Sequence, residues 1–276
     1  MTISQLTGFL YRRFFTGAKW LLTVLLLSFP LMQVSHARAN PVRIAVGDWP
    51  PYFSETAEGY GTYAKVVTRV FELQGLEVEY GFFPWNRALL ETREGRWDAS
   101  AGWGRTTERE PFFHFCDAVL TERERFFYAA ARPVSASDIS DFDGLSLGVI
   151  EGAALGEELD KLVAGGSVTI YRQATMEDLF IMLNVGRVDL VMSNGKVASD
   201  AISKAFPQGE DERFRSLLEV AVDWDYRVIV SKKVDDGAGL CARFNRGLDA
   251  LRDSGEFERL LWPDRTGNGS SDDSPS

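Results

Sequence analysis

Short apolar runs alternate with helical periods in this chain, and this alternation limits the possible folds more than any other feature. Apolar runs at 42–46, 76–83 and 97–101 enclose helical patterns at 63–73 and 85–94. In the helical patterns apolar residues recur every third or fourth position, whereas the runs are short and bounded by Gly or Pro. The series predicts a β-α-β-α-β unit built from parallel layers.

A second series with the same order follows further along the chain. It predicts strands at 145–150, 168–171 and 188–192, with helices at 155–163 and 176–184. Because both series repeat one arrangement, we expect two lobes of similar α/β architecture.

Two further β-prone segments and a helical segment complete the pattern. Residues 125–131 lie between the two series and residues 226–230 follow the second one, so they predict a pair of crossing strands at a hinge. A helical pattern over 239–261 predicts a C-terminal helix that packs back on the first lobe. Residues 265–276 are small and polar with nothing to bury, and they are predicted to be disordered.

The N-terminal segment has the features of a secretory signal. Arg12, Arg13 and Lys19 precede an apolar run at 20–31, and a small-x-small pattern ends at Ala39. A basic region, an apolar region and such a site predict a signal peptide that is cut after Ala39, which places the mature protein in the periplasm. The alternative is a membrane anchor, but the run is shorter than the ~20 apolar residues of a spanning helix.

Removing residues 1–39 makes the chain more acidic. That segment holds four of the 30 basic residues and no Asp or Glu, so the net charge changes from −10 to −14. A strongly acidic surface favours solubility and disfavours nucleic-acid binding. We therefore expect a monomeric protein without a nucleic-acid partner.

Cysteine and histidine content gives little support to a metal site. Cys116 and Cys241 are the only cysteines, and their spacing matches no metal motif. An oxidising compartment permits a disulfide, but the sequence slightly favours two separate buried thiols. After export His114 is the one remaining histidine, so neither a His-rich metal site nor a cofactor is predicted.

Aromatic residues follow successive predicted strands. Trp49 and Tyr52 come after the first strand, Trp85 opens the helix after the second, and Trp103 follows the third. Ligands in open α/β sheets bind at the carboxyl ends of strands. The four rings predict an aromatic box that can hold a cation or a planar group, and the alternative for each ring is an ordinary core position. Trp97, Trp224 and Trp262 are interpreted as structural.

An ordered series of short motifs resembles family 3 of the extracellular solute-binding proteins, the periplasmic subunits best known for amino-acid uptake. The motifs are Gly47-Asp48-Trp49-Pro50-Pro51-Tyr52-Phe53, Gly95-Arg96-Trp97-Asp98-Ala99, Thr106-Thr107-Glu108-Arg109, Gly148-Val149-Ile150-Glu151-Gly152 and Gly186-Arg187-Val188-Asp189. The resemblance spans residues 41–262. It implies an α/β, type II periplasmic-binding-protein-like fold, in which two hinge strands join two lobes and the ligand lies in the cleft between them.

The resemblance also implies how the chain divides. The first lobe is discontinuous and takes residues 41–129 and 228–264, and the second takes residues 130–227. Residues 1–39 form the signal peptide and residues 265–276 the tail.

The family pattern assigns ligand contacts residue by residue. Arg109 is implied to grip a ligand carboxylate with its guanidinium, and the alternative is a surface ion pair with Glu108 or Glu110. Arg87 recurs in a less characterised branch of the family, and its alternative is a solvated helix charge. The full set of expected ligand-binding residues is Asp48, Trp49, Tyr52, Trp85, Arg87, Trp103, Thr106, Arg109, Glu151, Gly152, Ala153 and Asn194.

Two departures from the family pattern concern the second lobe. Ala153 and Ala154 stand where amino-acid binders carry hydroxyl residues, and Asn194 stands where they carry an acid that pairs with the ligand ammonium. A buried ammonium without a counter-charge is costly, so an α-amino acid is less favoured than in a typical member. Glu151 is the alternative acidic partner.

The leading expectation is an exported protein that delivers a small polar or carboxylate-bearing solute, an amino acid or related metabolite, to a membrane transporter. One alternative is a ligand sensor for a separate signalling partner. The other is an enzyme on the same scaffold, a dehydratase of cyclic acids that uses Glu151, Asp48 or His114 as acid or base. No catalytic pair stands at a defined spacing, so catalysis is not expected.

Overall fold

The computed structural model describes residues 40–207 and 211–263. The strands are β1 (Val42–Val46), β2 (Val78–Phe82), β3 (Ala99–Trp103), β4 (Phe113–Ala129), β5 (Ser146–Ile150), β6 (Thr169–Gln173), β7 (Leu190–Ser193) and β8 (Phe214–Ser231). The α-helices are α1 (Thr62–Glu72), α2 (Trp85–Arg93), α3 (Glu157–Ala164), α4 (Met176–Asn184), α5 (Gly195–Ala205), α6 (Gly237–Asp253) and α7 (Glu256–Leu261). The signal peptide predicted at 1–39 and the tail predicted at 265–276 lie outside the described residues.

The eight strands form one sheet in the order β2-β1-β3-β8-β4-β7-β5-β6. β1 is parallel to β2 and β3, and β5 is parallel to β6 and β7. Each predicted β-α-β-α-β unit is thus a parallel group with its first strand in the middle. We call β1–β3 with α1, α2, α6 and α7 the first half, and β5–β7 with α3–α5 the second half. The predicted two-lobe α/β fold class is confirmed.

Two long antiparallel strands, β4 and β8, join the halves, and we call them the central pair. They pair from Phe113 opposite Ser231 to Ala129 opposite Phe214, with several register shifts. β8 also pairs with β3, and β4 also pairs with β7. The two predicted crossing strands are confirmed, but both are much longer than the sequence indicated. Because each strand runs through both halves, the lobe limits at 129/130 and 227/228 stay a prediction.

The C-terminal helices pack on α1, as the helical pattern predicts. Phe71 of α1 contacts Phe244 of α6, with ring centroids 5.2 Å apart. A Cβ added to Gly247 would lie 2.4 Å from the Val70 carbonyl oxygen, so glycine is needed for the two helices to approach. The single predicted helix is in fact two, because Gly255 adopts a left-handed φ of 67° between α6 and α7.

The cysteine prediction is wrong. Cys116 of β4 and Cys241 of α6 form a disulfide with Cα atoms 5.3 Å apart, although 125 residues separate them. The turn after β8 brings α6 back across β4, and this long-range packing cannot be read from the spacing of the two residues. The bridge ties the central pair to the first half.

Helix α5 was not predicted. It begins at Asn194, whose side-chain Oδ1 accepts a hydrogen bond of 3.0 Å from the Val197 N–H. An Asn followed by apolar residues at helical spacing is a helix-start signal that the sequence did contain. No helix within the described residues is long and apolar enough to cross a membrane.

Candidate ligand-binding cleft

A cavity of about 70 Å³ lies where the two halves and the central pair meet. A space of this size suits a small solute and excludes a folded partner. Its walls come from all three parts of the molecule: Trp49, Trp85, Gly102, Trp103, Gly104, Arg109, Glu124, Ile150, Glu151, Gly152, Ala153, Ala154, Met176, Met192, Ser193, Trp224 and Tyr226.

The first half contributes a wall of aromatic rings that follow its strands. Trp85 and Trp103 pack edge to face with centroids 5.2 Å apart, and both are almost fully buried. The Trp85 Nε1–H donates to the Asp48 carbonyl at 3.1 Å, and the Trp103 Nε1–H donates to Ser100 Oγ at 2.6 Å. Each indole is therefore held at its polar end as well as by packing, which makes this wall rigid.

The aromatic wall continues onto the central pair, because the ring of Trp49 packs on the ring of Tyr226 of β8 with centroids 4.7 Å apart. Tyr52 lies behind Trp49 at the same centroid distance, but it is fully buried and does not line the cavity. Its hydroxyl donates to Glu122 Oε1 at 2.5 Å. Of the four predicted box residues, Trp49, Trp85 and Trp103 line the cavity and Tyr52 supports them from the core.

Trp224 also lines the cavity, although sequence analysis interprets it as structural. Its ring packs against Gly104, where an added Cβ would lie 2.8 Å from the ring. Trp224 belongs to β8, and the sequence reading placed the start of this strand too late to include it.

The second half contributes a wall of small residues and backbone. Gly152 follows β5 with a left-handed φ of 77°. A Cβ at this position would lie 3.3 Å from Asn86 Oδ1, 3.4 Å from Trp85 Cβ and 3.5 Å from the Trp103 ring. The loop from Glu151 to Ala154 therefore reaches the aromatic wall directly, and a larger residue at 152 would hold the walls apart.

Arg109 connects the two walls. Its Nη1 donates to the Gly104 carbonyl at 2.8 Å, and its Nη2 donates to the Gly152 carbonyl at 2.7 Å. The guanidinium carbon lies 4.7 Å from the centroid of Trp103. Burial lowers the pKa of Arg109 to about 10, so the side chain still carries a positive charge at neutral pH. The alternative for Arg109, a surface ion pair with Glu108 or Glu110, is not formed among the described residues.

Glu124 is a buried carboxylate in the cavity that sequence analysis missed. It belongs to β4 and is 5% exposed. The Tyr226 hydroxyl donates to its Oε1 at 2.7 Å, and Asn194 Nδ2 lies 3.4 Å from the same oxygen. Burial raises the pKa of this carboxyl to about 7.

Sequence analysis missed Glu124 because its segment, Thr121-Glu122-Arg123-Glu124-Arg125, looks like a solvated run of charges. The signal that the sequence did contain is the alternation of inward-facing and outward-facing positions that a strand imposes on this segment. Leu120, Glu124 and Phe126 face inward in the strand while Arg123 and Arg125 are exposed. A charged residue on the inward face of a strand is a candidate functional residue.

Asn194 supports the cavity and does not line it. It is 1% exposed, its oxygen caps α5, and its amide faces Glu124. The Glu124 carboxylate of the central pair thus lies next to the Asn194 amide, at the position where the family pattern has an acid.

Besides Tyr52 and Asn194, three more of the expected ligand-binding residues do not line the cavity. Arg87 is 64% exposed and forms an ion pair with Glu91 at 3.6 Å, so it is the solvated helix charge. Asp48 is exposed at the outer edge of the cleft, where its carbonyl accepts the Trp85 bond. Thr106 lies in the adjoining open groove, and its carbonyl accepts from the Arg109 N–H at 3.1 Å. Their roles in ligand binding stay predictions.

A family model matches most of the chain. The model for bacterial extracellular solute-binding proteins, family 3, covers residues 42–262. No curated protein matches the sequence.

Several solved structures share the fold. A histidine kinase sensor domain with similarity to periplasmic binding proteins has a TM-score of 0.69 at 20% identity, over 81% of this chain and 95% of that one. An ancestral arginine-binding protein bound to arginine has a TM-score of 0.68 at 19% identity, over 81% and 97%. An amino acid ABC transporter substrate-binding protein from Streptococcus pneumoniae bound to L-arginine has a TM-score of 0.64 at 17% identity, over 80% and 92%. At these identities the likeness concerns the fold.

Proposed function

The chain belongs to family 3 of the bacterial extracellular solute-binding proteins, and from this membership we propose that it captures a small polar or carboxylate-bearing solute for a membrane transporter. The family has a solute-binding role outside the cytoplasm. An amino acid or a related metabolite is the solute class that we propose.

The cavity that both halves enclose is the observation that carries this proposal. Gly152 of the second half reaches Trp85 and Trp103 of the first, and Arg109 bonds to carbonyls at Gly104 and Gly152. A solute that contacts both walls favours the closed arrangement over an open one, because it gains contacts in the closed form alone. Capture by closure is therefore the mechanism that we propose.

Arg109 is the residue that we propose for binding a ligand carboxylate. A guanidinium has several N–H donors in a planar fork that matches a carboxylate. Two of these donors bond to backbone carbonyls of the cleft, which fixes the orientation of the group. The remaining donors are available at the cavity for charge-assisted bonds.

Export through residues 1–39 with cleavage after Ala39 belongs to the same proposal, as does a monomeric state. N-terminal sequencing of the protein from the periplasmic fraction tests the cleavage: we expect Asn40 as the first residue. Light scattering on the purified protein tests the monomer. Recovery of the uncleaved chain in the membrane fraction would instead support an anchor.

A ligand sensor is the second candidate function. The histidine kinase sensor domain among the similar structures shows that this fold serves such proteins too. The two roles differ in what the ligand-loaded protein does at the membrane. Ligand-dependent stimulation of uptake supports transport, and ligand-dependent stimulation of phosphorylation in a membrane partner supports sensing.

The experiment that tests solute binding is a thermal-shift screen of the purified protein against amino acids, polyamines, organic acids and small cyclic acids. A ligand that binds only the folded state stabilises it by about 2.7 kcal/mol at one hundred times Kd. We expect a hit that is lost in Arg109→Ala and that is recovered chemically unchanged. A hit that is consumed would make the protein an enzyme of the dehydratase kind, and the absence of any hit would contradict the proposal.

A further inference from the structure

The carboxylate of Glu124 has only uncharged donors around it. Tyr226 and Asn194 donate to Oε1, and the Asn194 backbone N–H also faces the group. Within the described residues no Lys, Arg or His forms an ion pair with it. A carboxylate that is 5% exposed and lacks a cationic partner is costly to hold in its ionised form.

Arg109 and Glu124 line the same cavity without pairing with each other. Arg109 directs two donors to backbone carbonyls, and Glu124 accepts from Tyr226 and Asn194. The charged side chains that line the cavity are Arg109, Glu124 and Glu151, and Glu124 is the buried carboxylate of the two. The cavity therefore presents a positive group and a buried negative group that do not pair with each other. A ligand with a carboxylate and an ammonium is complementary to both.

The aromatic rings favour the same ligand class at the Glu124 end. Tyr226, which bonds to Glu124, lies 4.7 Å from Trp49 between ring centroids, and both rings line the cavity. Ring faces attract cations and exclude water, which strengthens a nearby ion pair. Trp103 is already engaged, because the guanidinium of Arg109 lies 4.7 Å from the centroid of its ring.

We propose that Glu124 is the counter-ion for the ammonium group of a compact zwitterionic ligand whose carboxylate binds Arg109. The inference rests on the proposed solute-binding function and deepens it. It also revises the expectation drawn from Asn194, because the central pair delivers a carboxylate beside that amide. We assign the acidic partner to Glu124 because it is buried, whereas Glu151, the alternative in the same lining, is only half-buried.

Binding depends on pH in a defined direction. The ammonium requires the ionised carboxylate, and a carboxyl that titrates near pH 7 is about nine-tenths ionised at pH 8 and one-tenth ionised at pH 6. The groups that face Glu124 are Tyr226 of β8 and Asn194 before α5. Glu122 lies two residues along the same strand, and the other charged residues lining the cavity are Arg109 and Glu151. We expect affinity to fall about tenfold from pH 8 to pH 6.

Isothermal titration tests the inference with defined probes. The probes are the proteinogenic L-amino acids, γ-aminobutyrate and glycine betaine, and propionate, butyrate, glutarate and 3-phenylpropionate as acids without an amino group. We expect wild type to bind at least one zwitterion and none of the simple acids with similar affinity. Glu124→Gln should weaken that binding by about tenfold or more at pH 8 and abolish its pH dependence.

Two further variants separate a binding role from a structural one. Glu122 lies on the same strand, bonds to Tyr52 and does not line the cavity. Because Glu124 is already mostly ionised at pH 8, Glu122→Gln should leave the affinity at pH 8 nearly unchanged. The double variant Glu124→Gln/Asn194→Asp returns a carboxylate to the neighbouring position, and Asp still caps α5. We expect it to recover much of the affinity and the pH dependence, which a merely structural role of Glu124 would not produce.

Different results would contradict the role of Glu124 and the proposed solute-binding function. Equal binding of simple acids, or a Glu124→Gln variant with unchanged affinity and pH profile, would overturn the role of Glu124 and leave solute binding intact. Failure of folded wild type to bind any probe at pH 8 would count against solute binding as proposed and against the inference with it.

Discussion

The two walls of the cleft are built in different ways. The first half presents large indoles, Trp85 and Trp103, which are fixed by packing and by hydrogen bonds from their own N–H groups. The second half presents a loop of small residues around Gly152, whose backbone reaches those rings. The first wall therefore sets the shape of the cavity, and the second closes it. The buried anionic group of the site comes from neither wall but from Glu124 of the central pair, whereas Glu151 of the second wall is only half-buried.

The halves also differ in how they are anchored. The disulfide from Cys116 to Cys241 and the packing of α6 on α1 both strengthen the first half. The second half has its own apolar core around Phe142, Leu147 and Leu159, with no covalent link among the described residues. Regions with fewer constraints open at lower free energy. We expect the second half to be the more mobile one.

The largest effect is expected when the rigid wall is removed. Trp85→Ala deletes a ring that packs on Trp49, Phe53 and Trp103, and we expect a loss of about 3–5 kcal/mol in the free energy of unfolding. Met176→Ala in the opposite wall is the comparison, with an expected loss of about 2 kcal/mol because a methionine side chain is smaller than an indole and buries less apolar area. Urea unfolding measures both. Equal losses would contradict the difference between the walls.

Removing the disulfide tests the difference in anchoring. The double variant Cys116→Ser/Cys241→Ser removes the cross-link that closes a long loop in the unfolded chain. Because the unfolded chain then gains conformational freedom, we expect a loss of about 2–5 kcal/mol in the free energy of unfolding. Hydrogen exchange should show the increase in opening mainly in β1–β3 and α6. An increase confined to β5–β7 would mean that the bridge does not stabilise the first half.

The central pair responds to pH through Glu124. Its pKa is about 7 in the folded state and about 4.3 when unfolded, so the folded state binds more protons between these values. The contribution of Glu124 to stability is therefore fully present below pH 4.3 and is lost as the pH rises through 7. Without ligand, the free energy of unfolding of Glu124→Gln should exceed that of wild type by roughly 3 kcal/mol at pH 8 and by little at pH 4.5. Urea unfolding at both pH values checks this, and a gap independent of pH would refute it.

The smallest effect is expected at the closing loop. Gly152→Ala and Gly144→Ala both place a Cβ at a left-handed φ, 77° and 78°, and each should cost about 1–2 kcal/mol in stability. Only at Gly152 does the new methyl meet the opposite wall, since nothing lies within 4 Å of it at Gly144. Gly152→Ala should therefore also weaken binding of the screened ligand several-fold. A similar loss of affinity in Gly144→Ala would show that closure is not what the substitution affects.

The local pattern of the sequence predicted most elements of the fold. The helix predicted at 176–184 agrees with α4 (Met176–Asn184), and the first strand agrees with β1 (Val42–Val46). Such elements are readable because the spacing of apolar residues reports directly which face is buried. Helix α5 was missed although its cap and its spacing were present.

The candidate site was predictable in part. The strand-end residues Trp49, Trp85, Trp103 and Arg109 do line the cavity, because parallel strands bring their carboxyl ends together. Arg87 does not line the cavity, since the face that a helix turns to solvent depends on packing that its own charge does not reveal.

The sequence by itself determined the order of strands and helices, the two similar halves and the family to which the chain belongs. These follow from short-range periodicity and from motifs that stand close together in the chain. Only the tertiary structure decided that Cys116 meets Cys241, that Trp224 lines the cavity and that Glu124 lies buried beside Asn194. Each of these depends on how the central pair aligns residues distant in sequence. Such pairing is set by the packing of the whole sheet, because no local period specifies which distant residue a strand will face.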